Sequence, residues 1–327
     1  MQYDETVASR SSSMSFEKKH WLRTALQIKG SVLLQVLPRS LFCGGFALLI
    51  TIAFVKGQPV SLPALASLIP NIVLGLLLVF RTNTAYDRFW EGRKAWGKLV
   101  NDTRNLARQI WVAVAEVTEG DRAGKIEALY LLVAFSVAVK SHLRQEPLGS
   151  EIEVVISLDR VARLKGIQNP PLRVAFWIAD YLQLQYQRDR VKIHQLTEMQ
   201  RLLDGLVDSL GACERILKTP MPIAYAIHLK QLILLYCLSL PFQMVESLGW
   251  WTPPVVVLIS FTLFGIEAIG IEIENPFGRD PNDLPLDAIC ETMLKNIQDL
   301  TELRPSNHPQ DLPLIAAYEE QQNGGYS

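Results

Sequence analysis

Three apolar side chains, Ile72, Leu76 and Phe80, are spaced four residues apart and therefore stack on one face of a helix. Arg81 follows at once, and the sequence then turns polar with no proline between positions 71 and 96. This pattern predicts one long helix, apolar in its first part and polar in its second. Copies of such a helix around an axis would form a dry constriction that opens into a wet vestibule.

The same residues have a plainer interpretation. An apolar stripe on a membrane helix often packs against other helices or meets lipid, and spacing alone leaves both interpretations open. The polar residues that follow would line a vestibule or form an ordinary solvated face. The vestibule candidates are first Arg81, Asn83 and Asp87, and then Arg88 and Glu91.

Glu267 is the second informative position, because it lies about 13 residues, or about 20 Å, into an apolar helical stretch. A carboxylate that faces lipid near the middle of a membrane costs roughly 2.5–3.5 kcal/mol. Glu267 should therefore face protein, a polar cavity or the membrane interface. The alternative is that the helix begins earlier and Glu267 simply lies at the interface.

Motifs typical of enzymes are absent from the sequence. It contains no Gly-rich phosphate loop after a strand, no GxSxG and no HExxH. The histidines are isolated, and the cysteines are scattered without a CxxC pair. We therefore predict a protein that is not an enzyme, has no cofactor and buries its cysteines as small apolar residues. These cysteines are Cys43, Cys213, Cys237 and Cys290.

The composition predicts a membrane part and a water-facing part. The 327 residues are 49% hydrophobic and 20% charged, with a formal net charge of −1. This chain is too apolar for an ordinary soluble domain and too charged to lie wholly in lipid. The near-zero net charge gives no argument for a nucleic-acid partner.

Apolar stretches predict an all-α protein with four membrane spans, at about 36–55, 64–80, 229–245 and 253–271. The helix expected at 122–144 is apolar for only about a dozen residues, so we expect it to be buried in a large helical cytosolic domain. Further helices are predicted at 151–165, 172–190, 192–217 and 286–302. The predicted organisation is a disordered N-terminus (1–15), an interfacial amphipathic helix (16–35), two spans (36–80), the cytosolic domain (81–221), two spans (222–271), a cytosolic turn and helix (272–303) and a polar tail (304–327).

Charge predicts the orientation in the membrane. Basic residues precede the first span and follow the second, whereas Lys56 is the only basic residue in the loop between them. The positive-inside rule then places the N-terminus and the residues after 81 in the cytoplasm, and with four spans both termini lie there. The membrane that we expect the chain to occupy is the inner (plasma) membrane.

Three blocks, FRTNTAYDRFWEGRKAWG (80–97), LGACERILKTPMPIAYA (210–226) and ENPFGRDPNDLPLDAIC (274–290), together with LPF at 240–242, resemble the bestrophin family in its bacterial branch. The resemblance covers about residues 20–303. Bestrophins are pentameric ion channels with four spans per subunit, and the resemblance therefore implies a homopentamer that contacts membrane lipids and conducts small monovalent ions. It maps the hydrophobic neck of the pore onto Ile72, Leu76 and Phe80, and the cytosolic aperture onto Leu182.

The chain departs from the animal members of the family at their calcium clasp, an acidic run after the NPFG turn. Asp280, Asp283 and Asp287 remain, but Arg279 and two prolines interrupt the run. Because calcium prefers six to eight oxygen ligands, we expect at most a weak calcium site at these three aspartates. The alternative is a turn followed by a helix, with Asp283 as its N-cap.

The neck also departs from the family pattern, because only Phe80 is aromatic. Aromatic rings present positive edges to anions, and the animal and plant members are anion channels. The resemblance implies a channel for chloride or bicarbonate, and the aliphatic neck leaves a sodium or potassium channel as the alternative. A membrane-anchored helical scaffold or signalling module is the alternative of another class.

Overall fold

The computed structural model describes residues 30–62 and 68–303, and every regular element within these ranges is helical. The predictions for 1–15, for most of 16–35 and for 304–327 lie outside the described residues. The chain divides into two compact units. Within the described ranges, unit 1 comprises 30–62, 68–86, 221–274 and 280–282, and unit 2 comprises 87–220, 275–279 and 283–303.

Unit 1 is built around two long apolar helices that run against each other. Helix α1 (Leu33–Val55) packs against α9 (Thr252–Glu272), and α8 (Ile223–Leu248) contacts both. A Cβ atom at Gly44 of α1 would clash with Cγ2 of Val257 on α9. The glycine therefore lets the α1 and α9 backbones approach closely, as helices in a membrane commonly do.

Helix α2 (Leu68–Ala113) is a single helix of 46 residues that crosses the polar switch at Arg81 without interruption. The prediction of a continuous helix is therefore confirmed over this range. Its first part, through residue 86, belongs to unit 1 and its remainder to unit 2. Leu74 and Leu78 contribute to the core of unit 1, and Trp96 and Leu99 contribute to the core of unit 2.

Three stretches of the described chain are long and apolar enough to cross a membrane: Leu33–Val55, Gly120–Arg144 and Ile223–Glu272, the last containing both α8 and α9. Gly120–Arg144 differs, because 78% of its most apolar window is buried inside the protein, against 33% for each of the others. Burial of this helix within the protein was expected and is confirmed. The described part of α2 contributes about 13 residues before Arg81, or about 20 Å, so a span at 64–80 stays a prediction.

Unit 2 surrounds helix α3 (Glu119–Arg144), which packs against four of its neighbours. Trp96, Trp111 and Phe135 are among its largest fully buried side chains. Apart from the second part of α2, the other helices of unit 2 are α4 (Glu151–Val155), α5 (Leu158–Leu164), α6 (Pro170–Gln187), α7 (Ile193–Lys218) and α10 (Leu286–Glu302).

Two local predictions are wrong. The helix expected at 151–165 is interrupted at Ile156 and Ser157, which are extended, so α4 and α5 are separate. The break lets both short helices bury apolar residues in the core of unit 2, which periodicity alone does not reveal. Asp283 is not an N-cap, since α10 begins at Leu286 with Pro285 in the capping position.

Candidate functional site

The first part of α2 carries two apolar faces. Ile72, Leu76 and Phe80 are 60%, 51% and 60% exposed, whereas Leu74 and Leu78, on the opposite side of the helix, are buried. At 100° per residue, the three exposed side chains lie within about 80° of each other. Unit 1 therefore buries one side of α2 and leaves the predicted neck residues on its surface.

Polar residues continue this exposed face along α2. Asn83 is exposed in unit 1, and Asp87 is exposed on the part of α2 that belongs to unit 2. Both follow Phe80 at helical spacing, after three and seven residues. Asn83 and Asp87 thus remain available as vestibule residues.

Arg81 lies on the other side of α2 and points into unit 1. Its side chain is 3% exposed, and its Nη2 lies 3.4 Å from Oε2 of Glu274. The other carboxylate oxygen of Glu274 accepts a hydrogen bond from the Met221 backbone N–H at 3.0 Å. Arg81 therefore joins α2 to the segments that border α8 and α9, and this burial is at odds with a role in lining a vestibule.

Arg88 and Glu91, the two further vestibule candidates, contact α7 within unit 2. The Arg88 guanidinium donates to the carbonyl oxygen of Ile216 at 2.6 Å and also to that of Thr219. Glu91 pairs with Arg215. A cation at the end of α7 satisfies carbonyls that have no partner within the helix, so Arg88 has a structural role.

Leu182 is fully buried in unit 2, on the same face of α6 as Val174 and Ile178. A side chain in the core is not available to line an aperture, and we do not retain Leu182 as an aperture residue. Several apolar residues lie on this helix, and similarity to the family does not show which of them is buried. A shift of one position in the alignment moves the assigned residue from an exposed face to the core face.

The predicted calcium site is replaced by contacts between protein side chains. Asp287 of α10 accepts hydrogen bonds from Lys140 Nζ at 2.8 Å and from Arg144 Nη1 at 3.0 Å. Within the described ranges, no group of three or more His, Cys, Asp or Glu side chains is arranged to hold a metal ion. Asp287 does not suit a calcium ion, because Lys140 and Arg144 already bind its carboxylate.

Burial by itself disfavours the charged forms of both Asp287 and Lys140. Hydrogen bonds from Lys140 and Arg144 nevertheless leave the pKa of Asp287 below its usual value. Asp287 and Glu151 likewise outweigh burial and raise the pKa of Lys140. Lys140 and Arg144 were not recognised in the sequence, although two basic residues four apart at the end of an apolar helix were a visible signal.

Glu267 faces the interior of unit 1, as its position in an apolar stretch predicted. Its side chain is 2% exposed, and its Oε2 lies 3.8 Å from Nη1 of Arg39 on α1. The alternative, that Glu267 lies at the membrane interface, stays open, because α9 ends only five residues after Glu267. Arg39 was not recognised as its partner, because the pairing joins residues more than 200 positions apart.

Taken together, these features define an all-helical membrane protein in which a long helix presents an apolar stripe followed by polar side chains. The family model for bacterial and fungal bestrophin proteins matches residues 13–299. The chain belongs to this bestrophin family.

Similar proteins agree with this assignment. The chain is 64% identical over 299 residues to a voltage-dependent anion channel-forming protein of Nostoc sp., covering 91% of this chain and 97% of that protein. It is 31% identical to a protein of the same description from Escherichia coli K12, covering 84% and 90%. The crystal structure of a bacterial bestrophin homologue from Klebsiella pneumoniae has a TM-score of 0.73 and 30% identity, covering 82% of this chain and 98% of that one.

Proposed function

We propose that five copies of this chain form an ion channel with one central pore that conducts small monovalent anions such as chloride or bicarbonate. The observation that carries the proposal is the exposed apolar stripe of Ile72, Leu76 and Phe80. In a pentamer, each of these positions supplies one apolar ring, and three stacked rings hold the pore dry until side-chain motion admits water and ions. Asn83 and Asp87 then line the wet vestibule.

The anion assignment draws on the relatives, whose descriptions name them as anion channel-forming proteins. The competing function is a channel for sodium or potassium. Two observations favour it: the neck has one aromatic residue among three, and Asp87 exposes a carboxylate on the helix that carries the neck. A carboxylate ring attracts cations and repels anions.

We also propose four membrane spans with both termini in the cytoplasm of a bacterial cell and with the chain in the inner membrane. The spans are α1, the first part of α2 with the residues before it, α8 and α9. The support is the length and apolar character of α1, α8 and α9, and the basic residues on either side of the first two predicted spans.

The test uses the full-length protein, purified in detergent and then placed in a planar bilayer with asymmetric KCl. Light scattering should first give a protein mass of five 36.8-kDa chains, about 184 kDa. A reversal potential near the chloride equilibrium value supports the anion channel. A value near the potassium equilibrium potential supports the cation channel instead, and a monomer or dimer without current supports the scaffold.

A further inference from the structure

A cavity of about 470 Å³ lies within unit 1, among helices α1, α8 and α9. Its wall is mostly apolar but includes three charged side chains, two of them basic and one acidic. The residues that line it are Pro38, Arg39, Phe42, Lys230, Ile233, Leu234, Phe264 and Glu267.

The charged residues occupy one end of the cavity. Arg39 and Lys230 lie near the beginnings of α1 and α8, and Glu267 lies near the end of α9, in each case about 8–11 Å from the helix terminus. Apart from Pro38, which precedes Arg39, the apolar residues of the wall lie three or four positions further from those termini. The cavity therefore changes from charged to apolar with depth, as a phospholipid does from headgroup to acyl chain.

One carboxylate oxygen of Glu267, which lines this cavity, accepts no hydrogen bond from the described residues. Its Oε2 lies beside Arg39, but Oε1 is buried and has no hydrogen-bond partner in the described part of the chain. A buried carboxylate oxygen without a donor is costly, and an external donor would satisfy it.

The charges of the wall select the kind of headgroup. Arg39 and Glu267 compensate each other, and Lys230, which is exposed, leaves a net charge of +1. This balance favours a headgroup that carries one negative charge and also has a hydrogen-bond donor for Glu267.

We propose that this cavity binds phosphatidylglycerol from the adjacent leaflet. Its phosphate pairs with Lys230 and Arg39, one of its glycerol hydroxyls donates to Glu267 Oε1, and an acyl chain lies along the apolar part of the wall. Phosphatidylcholine is neutral overall and its headgroup has no N–H or O–H donor. Phosphatidylmethanol carries the same charge as phosphatidylglycerol but lacks the hydroxyl groups. Comparing the two lipids therefore distinguishes the effect of the charge from the effect of the hydrogen bond.

The test titrates the full-length, detergent-purified protein with each of these three lipids, matched in acyl chains, and counts bound lipid by native mass spectrometry. We expect phosphatidylglycerol to bind roughly tenfold more tightly than phosphatidylmethanol, the effect of one hydrogen bond to a charged group. Lys230→Gln should weaken binding of both anionic lipids. Glu267→Leu should abolish the preference between them. Lys56→Gln removes an exposed charge of unit 1 outside the cavity and serves as the matched control.

Equal binding of the two anionic lipids by the unaltered protein would overturn the proposal. So would a Lys230→Gln protein that binds them as the unaltered protein does, or a Lys56→Gln protein that is weakened equally. If Glu267→Leu does not yield folded protein, the headgroup comparison and Lys230→Gln decide the matter. The readout is binding, so its failure is distinct from a failure to conduct ions.

Discussion

Ile72, Leu76 and Phe80 are half or more exposed on α2, whereas Leu74 and Leu78 on the opposite face are buried. Other apolar residues of unit 1, such as Leu258 on α9, are equally exposed. The neck candidates differ from these because polar residues continue their stripe directly, which suits a wet pore better than lipid.

At the residue scale, we predict that Phe80→Ala and Leu76→Ala each raise single-channel conductance, because smaller side chains widen and wet the constriction. The measurement is current from purified variants in planar bilayers. Leu258→Ala is the matched control and should conduct like the unaltered protein. Unchanged conductance in both neck variants would remove these residues from the pore.

A second prediction concerns Asp121, whose carboxylate accepts hydrogen bonds from the Val117 and Thr118 backbone N–H groups, both at 2.8 Å. These bonds at the start of α3 lower the pKa of Asp121 to about 2. Since the folded pKa lies below the unfolded value near 3.9, the stabilisation is complete above about pH 4 and is lost as pH falls through about 2.

Asp121→Ala should therefore lower the melting temperature near neutral pH by a few degrees, as loss of a helix cap does. The difference from the unaltered protein should shrink as the pH falls from 5 to 2. Circular dichroism melts of the full chain measure it. Asp159→Ala, which alters an exposed surface pair on α5, is the control, and a difference that persists unchanged at pH 2 would contradict the assignment.

At the scale of elements, the end of α7 is held by a residue of α2. Arg88 donates from Nη2 to the carbonyl oxygen of Ile216 and from Nη1 to that of Thr219, so both terminal guanidinium nitrogens are used at once. We predict that Arg88→Ala destabilises the protein by about 1–3 kcal/mol, because two carbonyls lose a charged donor. Arg88→Lys should restore only part of this, since an ammonium cannot bridge both oxygens as a planar fork does.

Melting temperatures of the two Arg88 variants measure this effect. Arg93→Ala removes an exposed arginine from the same helix and should change the melting temperature little. Full rescue by lysine would show that charge alone matters and that the paired geometry does not.

The contact between α3 and α10 leads to a prediction about calcium. Asp287 is bound by Lys140 and Arg144, and a calcium ion would have to displace both cations. We expect that adding calcium, or chelating it, leaves both channel current and melting temperature unchanged. A calcium-dependent rise in either quantity would show that the aspartates after the NPFG turn bind the ion despite these contacts.

At the scale of the whole molecule, the proposed topology places the loop between α1 and α2 outside the cytoplasm and the loop between α6 and α7 inside. Cysteine labelling tests this cleanly, because all four native cysteines are buried. Lys56 and Arg188 are both exposed and lie in these two loops.

We predict that an impermeant maleimide applied to cells with a permeabilised outer membrane labels a Lys56→Cys protein but not an Arg188→Cys protein. Disruption of the inner membrane should expose both sites. Labelling of Arg188→Cys in intact inner membranes would reverse or reject the orientation that the basic residues imply.

The sequence by itself determined the features that depend on neighbouring residues. The continuity of α2 across Arg81 follows from the absence of helix breakers, and the common face of Ile72, Leu76 and Phe80 follows from helical spacing. The helix at 286–302 was predicted with its observed limits, because an amphipathic pattern begins after Pro285. The long family motifs also identified the bestrophin family, which the family model confirms.

Only the tertiary structure decided which face of each helix is buried and which distant side chains meet. Arg81 faces inward and Asn83 faces outward, although both are polar residues two positions apart. Leu182 lies in the core, Asp287 is bound by cations of α3, and Glu267 lies beside Arg39 with one oxygen unsatisfied. Spacing along one helix does not specify these outcomes, because each depends on the packing of helices that are far apart in the chain.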